Sequence, residues 1–124
     1  MNFNFPSRAK LTKTDDFSSV FNFRKRISGR FLAIHYRDNE LAWPRLGLIV
    51  GKKTARLAVQ RNYMKRVLRE LFRTRQQQFR PVDLVIRPHQ LFQHSDYPAI
   101  EQEFDKLLVK IQRTALPKIT DKIS

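Results

Sequence analysis

The sequence predicts a single α+β domain in which a small sheet is packed with helices. The chain has 124 residues and no internal repeat, a length that suits one compact core and is short for two domains. Apolar residues make up 41% of it, including ten Phe, so it can bury enough surface to offset the entropy of ordering. Short apolar runs bounded by Pro or Gly occur between longer segments with helical periodicity.

The first half of the chain is predicted to form one helix and then strands. A helix start is expected at Thr14, because acidic residues follow it and residues 17, 20 and 21 are apolar at helical spacing. After a loop around Ser28 and Gly29, the run 31–37 mixes bulky apolar and polar residues, as a half-exposed strand does. The aliphatic run 46–50 is a second strand. We expect these two strands to pair antiparallel.

The second half is predicted to contain a strand between two helices. The range 82–87 lies between two prolines and alternates in character, which indicates a strand. From about Pro98, apolar residues recur at helical spacing, with Ser95 or Asp96 as the cap of this last helix.

The two ends of the chain bear on the domain boundaries and the location. Residues 1–6 lack a charged start followed by an apolar stretch, so we expect no secretory signal and a cytoplasmic protein. The longest apolar runs are only strand length, so no membrane partner is expected. Pro117 is expected to end the order, giving one domain over residues 1–116 and a flexible tail over 117–124.

The charge of the chain indicates a polyanionic partner. The formal net charge is +14, which in a small compact domain is strongly self-repelling unless a polyanion lies nearby. Nucleic acid is the leading partner class. The absence of Cys excludes disulfides, thiolate metal sites and thiol catalysis together.

The most informative segment is the basic stretch 52–73, which holds no Pro or Gly and favours helix. On a helical wheel its apolar residues fall within an arc of roughly 140°, which is expected to pack on the sheet. The adjoining arc, also roughly 140° wide, carries no acidic residue. Like charges there, at i and i+4, oppose helix formation by about 0.2 to 0.5 kcal/mol each. Phosphate groups of a nucleic acid would remove that penalty. Such contacts position RNA without recognising its sequence. The residues of this arc are Arg61, Asn62, Lys65, Arg66, Arg69 and Arg73.

This stretch resembles the signature of the bacterial ribonuclease P protein family. The likeness extends to residues 17–21 and 45–48, with the same order and spacing, so it covers nearly the whole chain. Tyr63 departs from the pattern, because many members carry Arg there, and its ring is suited to stacking. The matching residues are Lys52, Lys53, Arg56, Arg61, Asn62, Lys65, Arg66, Arg69 and Glu70.

The resemblance implies a fold and a function. The implied fold is an α/β sandwich of order α-β-β-β-α-β-α with a left-handed strand-helix-strand crossover. The implied function is that of the protein subunit of ribonuclease P, which binds the catalytic RNA and the 5′ leader of precursor tRNA. Cleavage is then performed by the RNA subunit with Mg²⁺, and the polypeptide itself holds no cofactor. Ribonuclease P RNA and precursor tRNA are the expected partners, with no protein partner evident.

The resemblance also implies two sets of site residues. A cleft for the 5′ leader is expected at Phe17, Phe21, Tyr36 and Lys10, with His35 and Arg8 beside it. For the two phenylalanines, burial in the core is an equally good interpretation. Contacts to the catalytic RNA are expected at Lys52, Lys53, Arg56, Arg61, Asn62, Lys65, Arg66, Arg69 and Arg73.

Three other functions are compatible with parts of the sequence. A ribosomal or other structural RNA-binding protein shares the small size, basicity and α+β pattern. A helix-turn-helix DNA regulator is disfavoured by the predicted strands. A protein-only nuclease requires clustered carboxylates, whereas the acids here are scattered and His35, His89 and His94 show no metal-ligand spacing.

Overall fold

The computed structural model describes residues 25–39 and 41–114. The predicted first helix and the predicted C-terminal tail lie outside the described residues. Short 3-10 turns follow the first described helix, at Gln76–Gln78, and precede the second, at His94–Asp96. The α+β class is confirmed. The described elements are β1 (Arg26–Ser28), β2 (Leu32–Asp38), β3 (Arg45–Leu48), α1 (Ala58–Arg75), β4 (Val82–Pro88) and α2 (Tyr97–Thr114).

The sheet has the order β1-β2-β4-β3 and is mixed. Strand β4 pairs antiparallel with β2 and parallel with β3. The expected pairing of β2 with β3 is therefore wrong, because β4 lies between them. Six of the seven residues of β4 are buried. This burial fits a strand in the interior of the sheet, which is covered on both faces. The predicted crossover corresponds to the unit β3-α1-β4, and its left-handedness stays a prediction.

One hydrophobic core lies between one face of the sheet and the two helices. Alternate residues of β2 and β4, such as Ile34 and Leu84, point into it. Phe79, just after α1, packs against Phe72 at a ring-centroid distance of 5.4 Å and against Phe104 of α2 at 6.2 Å. Because the apolar side of α1 is held in this core, its polar side is turned outward. The buried residues of α1 are Met64, Val67, Leu68, Leu71 and Phe72.

Glu103 of α2 fastens the helix to the β1-β2 hairpin. Its carboxylate accepts hydrogen bonds from the backbone N–H of Phe31, at 3.0 and 3.1 Å, and of Leu32, at 2.8 Å. A Cβ atom at Gly29 would lie 2.6 Å from this carboxyl group, so glycine is what allows the close approach. The contact joins residues more than 70 positions apart in the chain.

We expect Glu103→Ala to lower the free energy of unfolding by about 1 to 3 kcal/mol, because two backbone N–H groups lose their acceptor. The exposed neighbour Gln102 provides the control, and Gln102→Ala is expected to change stability by less than about 0.5 kcal/mol. Urea unfolding followed by circular dichroism measures both. Equal losses in the two variants would show that the carboxylate does not hold the hairpin.

Candidate nucleic-acid interface

The basic stretch forms a turn followed by a helix. Helix α1 begins at Ala58, and the carbonyl of Gly51 accepts hydrogen bonds from the N–H of Thr54 and of Ala55, both at 3.1 Å. Ala55 is buried at 1% exposure and anchors this turn. At the helix start, Gln60 Oε1 accepts a hydrogen bond from Leu57 N at 3.1 Å. The prediction that the whole stretch 52–73 favours helix is therefore wrong at its start, because the first three predicted contacts, Lys52, Lys53 and Arg56, lie in the turn before α1.

Arg61 connects this turn to the helix. Its Nη1 donates to the carbonyl oxygens of Ala55 and Arg56, both at 2.9 Å. The side chain predicted as an RNA contact thus has an internal role, because it holds the turn that carries other cations.

We expect Arg61→Ala to lower the free energy of unfolding by about 1 to 2 kcal/mol, since two charged hydrogen bonds to the backbone are lost at a half-exposed site. Trypsin is then expected to cleave faster after Lys52, Lys53 and Arg56. Arg69→Ala is the matched control, because Arg69 is exposed and makes no ion pair with any acidic residue in the described part of the chain. Equal trypsin resistance in both variants would contradict the role of Arg61.

Six cations form what we name the open basic face of the turn and α1. Within residues 25–39 and 41–114, none of them pairs with an acidic side chain. All are exposed except Lys65, which is half-buried, and Asn62 lies exposed among them. The open basic face consists of Lys52, Lys53, Arg56, Lys65, Arg66 and Arg69.

The C-terminal end of α1 is neutralised by acidic residues. Arg73 is paired with Glu70, and its hydrogen bond lowers the pKa of that carboxyl group. Arg75 Nη2 lies 2.9 Å from Glu101 of α2, and its Nε donates to Asp105. Of the predicted RNA contacts, Arg73 is therefore engaged within the protein, and the open basic face ends near Arg69.

The predicted leader cleft is only partly within the described residues. Tyr36 and His35 are neighbours on β2 and point to opposite faces of the sheet. Tyr36 is 3% exposed and lies in the core on the helix side of the sheet, so Tyr36 and His35 do not line one face together. The leader contact of Tyr36 stays a prediction. Burial, with the nearby charges of Arg26 and Arg87, lowers the pKa of His35. Phe17, Phe21, Lys10 and Arg8 lie outside the described residues and stay predictions.

The face of the sheet away from the two described helices contains a buried carboxylate. Asp83 is fully buried and accepts hydrogen bonds from Arg45 Nε and Nη2, both at 2.8 Å, and from Asn39 Nδ2 at 2.9 Å. Arg37 Nη2 lies 3.4 Å from it. One sequence signal could have predicted this buried ion pair. It is a single acid in an apolar strand, with arginines in the two strands that flank it.

The described acidic residues do not form a metal site. In the described ranges, no group of three or more His, Cys, Asp or Glu side chains is placed to hold an ion. Glu103 and Asp83 are engaged as described above, and Asp96 accepts a hydrogen bond from Gln93 N at 2.9 Å. Among the same residues, no helix is long and apolar enough to cross a membrane.

Comparison with known proteins decides the family. The family model described as Ribonuclease P matches residues 5–112 of the chain. The chain belongs to the ribonuclease P protein family. The ribonuclease P protein component of an Azoarcus strain is 40% identical over 105 residues, covering 85% of this chain and 88% of that one. That of Chromobacterium violaceum is 40% identical over 111 residues, covering 90% and 92%.

Solved ribonuclease P proteins share the fold. The protein from Thermotoga maritima superposes with a TM-score of 0.70 at 24% identity, covering 82% of this chain and 96% of that one. The protein from Staphylococcus aureus gives a TM-score of 0.72 at 24% identity, covering 84% and 94%. The family model and the relatives at 40% identity confirm the resemblance inferred from the basic stretch. The open basic face is therefore a feature of a member of a tRNA-processing family.

Proposed function

We propose that the open basic face binds the RNA subunit of ribonuclease P, and that the assembled ribonucleoprotein removes the 5′ leader of precursor tRNA with Mg²⁺. The observation that supports this best is the group of six cations that have no acidic partner in the described part of the chain, in a member of this family. A cytoplasmic location belongs to the same proposal.

The geometry of α1 suits a phosphate backbone. Lys65 and Arg69 are separated by about 6 Å along the helix axis, so successive side chains follow a polyanion along one side of the helix. Arg66 and Asn62 flank them, and both offer N–H donors to phosphate or sugar oxygens. Neutralising phosphates releases their counterions, which gives salt-dependent affinity without sequence readout. The mutual repulsion of the cations is relieved in the same step.

The role of the polypeptide is to bind and bring together its partners. Its net charge of +14 lessens the repulsion between two large polyanions, the catalytic RNA and the precursor tRNA. Contacts with the leader, which mature tRNA lacks, then favour precursor over product. In this proposal, Mg²⁺ and the cleavage chemistry belong to the RNA subunit, and the polypeptide contributes binding.

Cleavage of a precursor tRNA that carries a 5′ leader tests the proposal. At low Mg²⁺, the protein alone, a bacterial ribonuclease P RNA alone, and the two together are compared. We expect cleavage to require the RNA and to be at least about tenfold faster with the protein, the change that about 1.4 kcal/mol of added transition-state stabilisation gives.

Two results would contradict the proposal. RNA binding without stimulation of cleavage would indicate a structural RNA-binding protein. Cleavage by the protein alone, free of RNA, would indicate a protein nuclease.

A further inference from the structure

A groove runs beside the start of α1 and is unlike the rest of the helix surface. Its volume is about 440 Å³, and the side chains that matter most in it are those of Leu57, Val59, Tyr63, Arg66, Phe92 and His94. Leu57 is 57% exposed and Val59 is 70% exposed, although both are large and apolar. Two such residues next to an aromatic floor form an apolar patch at the edge of the open basic face.

The floor of the groove is aromatic and held in place by packing. The Tyr63 ring is half-buried, with its centroid 6.3 Å from that of Phe92 in an edge-to-face arrangement. The centroid of the His94 ring lies 4.3 Å from that of Tyr63, and the two ring planes are tilted by 45°. Burial, with the neighbouring Tyr97, raises the pKa of Tyr63. A tyrosine phenol is in any case neutral near pH 7. A fixed, uncharged ring of this kind offers a flat surface for another ring.

The charge around the groove suits an anion. Arg66, which lines the groove, belongs to the open basic face, and Lys53 and Arg56 line a second depression that shares Leu57 with the groove. Among the described residues, no acid lines either depression. The acid whose charge reaches Tyr63 is Asp96, which is held by the backbone N–H of Gln93. A ligand with a flat apolar part and an adjoining negative charge matches this arrangement.

We propose that the groove binds an unpaired nucleotide of RNA, its base against Tyr63, His94 and the exposed Val59, and its phosphate at Arg66. This inference rests on the proposed function and adds a second mode of contact to it, because the open basic face by itself binds phosphates only. A second copy of the chain is disfavoured as the occupant, since two molecules of charge +14 repel each other. Stacking of one base on an aromatic side chain raises the affinity by roughly 5- to 150-fold.

A pair of valines provides a matched test. Val59→Glu places a carboxylate in the groove, whereas Val109→Glu makes the same change at a valine of α2 that is 53% exposed and outside the groove. The full chain is titrated with a single-stranded hexaribonucleotide that contains one 2-aminopurine. We expect Val59→Glu to weaken binding at least about tenfold and Val109→Glu at most about twofold, because only the general charge changes there.

A second pair of variants tests for the base itself. The hexaribonucleotide is compared with one in which the central nucleotides are abasic. The wild-type chain and Tyr63→Phe are expected to prefer the intact RNA, and Tyr63→Leu is expected to bring the affinity ratio toward one. Circular dichroism confirms that each variant is folded. If Tyr63→Leu unfolds, the valine pair decides.

The possible failures can be told apart. Equal RNA affinities for Val59→Glu and Val109→Glu would overturn the groove inference. In that case the double variant Lys65→Gln, Arg69→Gln is decisive for the proposed function. Weaker binding of ribonuclease P RNA by this variant would support the proposed function without the groove. A dimer in sedimentation that Val59→Glu dissociates would assign the groove to a second copy and would also overturn the inference.

Discussion

The double variant Lys65→Gln, Arg69→Gln is expected to bind ribonuclease P RNA about a hundredfold more weakly at low salt. Each charged hydrogen bond to phosphate contributes about 1.5 kcal/mol or more, and two of them correspond to about two powers of ten. The side chains make no ion pair with acidic residues of the described chain, so their replacement leaves no buried charge unpaired. Affinity is measured by filter binding or fluorescence at several salt concentrations.

The salt dependence separates a direct contact from a change in total charge. Lys106 and Lys110 of α2 are exposed and also lie four positions apart, and Lys106→Gln with Lys110→Gln gives the same net charge as the α1 variant. We expect the α1 variant to reduce the slope of log affinity against log salt by about 1.5 to 2, because about two fewer counterions are released. The α2 variant is expected to change the slope little. Identical slopes for both would refute binding through the open basic face.

Asp83→Asn is expected to lower the free energy of unfolding by about 3 kcal/mol, the largest stability loss we predict. The substitution keeps the shape of the side chain but removes the charge that balances Arg45 and Arg37. Asp105 provides the control, because its contact with Arg75 is on the surface, and Asp105→Asn is expected to change stability by less than about 1 kcal/mol. Urea unfolding at pH 7 measures the difference.

The pH dependence of this contribution has a definite sign. Burial by itself raises the pKa of Asp83, but hydrogen bonds from Arg45 and Asn39, together with the arginine charges, lower it more, and the net shift is downward. The unfolded chain therefore binds the proton more readily than the folded protein does. The stabilisation is complete above the unfolded pKa of about 4 and is lost as the pH falls through the lower, folded value. The gap between wild type and Asp83→Asn is expected to narrow below about pH 4, and a constant gap would contradict this account.

Periodicity predicted where most of the described helices and strands lie in the chain, but not which strands are adjacent in the sheet. The range 31–37 is displaced by one residue from β2, and the range 82–87 ends one residue before β4 does. Both described helices were expected. Strand β1, with three residues, is too short to show a period. Alternation tells which side of a strand is buried but not which strand lies next to it, so the position of β4 between β2 and β3 was missed.

The residues of the site were predicted better than their roles. Charge and spacing identified the cations of the open basic face. They did not show that Arg61 holds the turn or that Arg73 is paired with Glu70, because both contacts depend on where the helix begins and how the side chains extend. The groove was missed for a related reason: Phe92 and His94 come from a segment far along the chain and meet Tyr63 only in three dimensions.

The sheet order has a consequence for synthesis of the protein on the ribosome. Strands β2 and β3 emerge early, but their common neighbour β4 is made only after the whole of α1. Until then the apolar side of α1 has no completed sheet to cover it. A nascent chain therefore carries the cations of the open basic face before the strand that joins β2 to β3 has been made. The packing that positions these cations thus depends on residues synthesised after them.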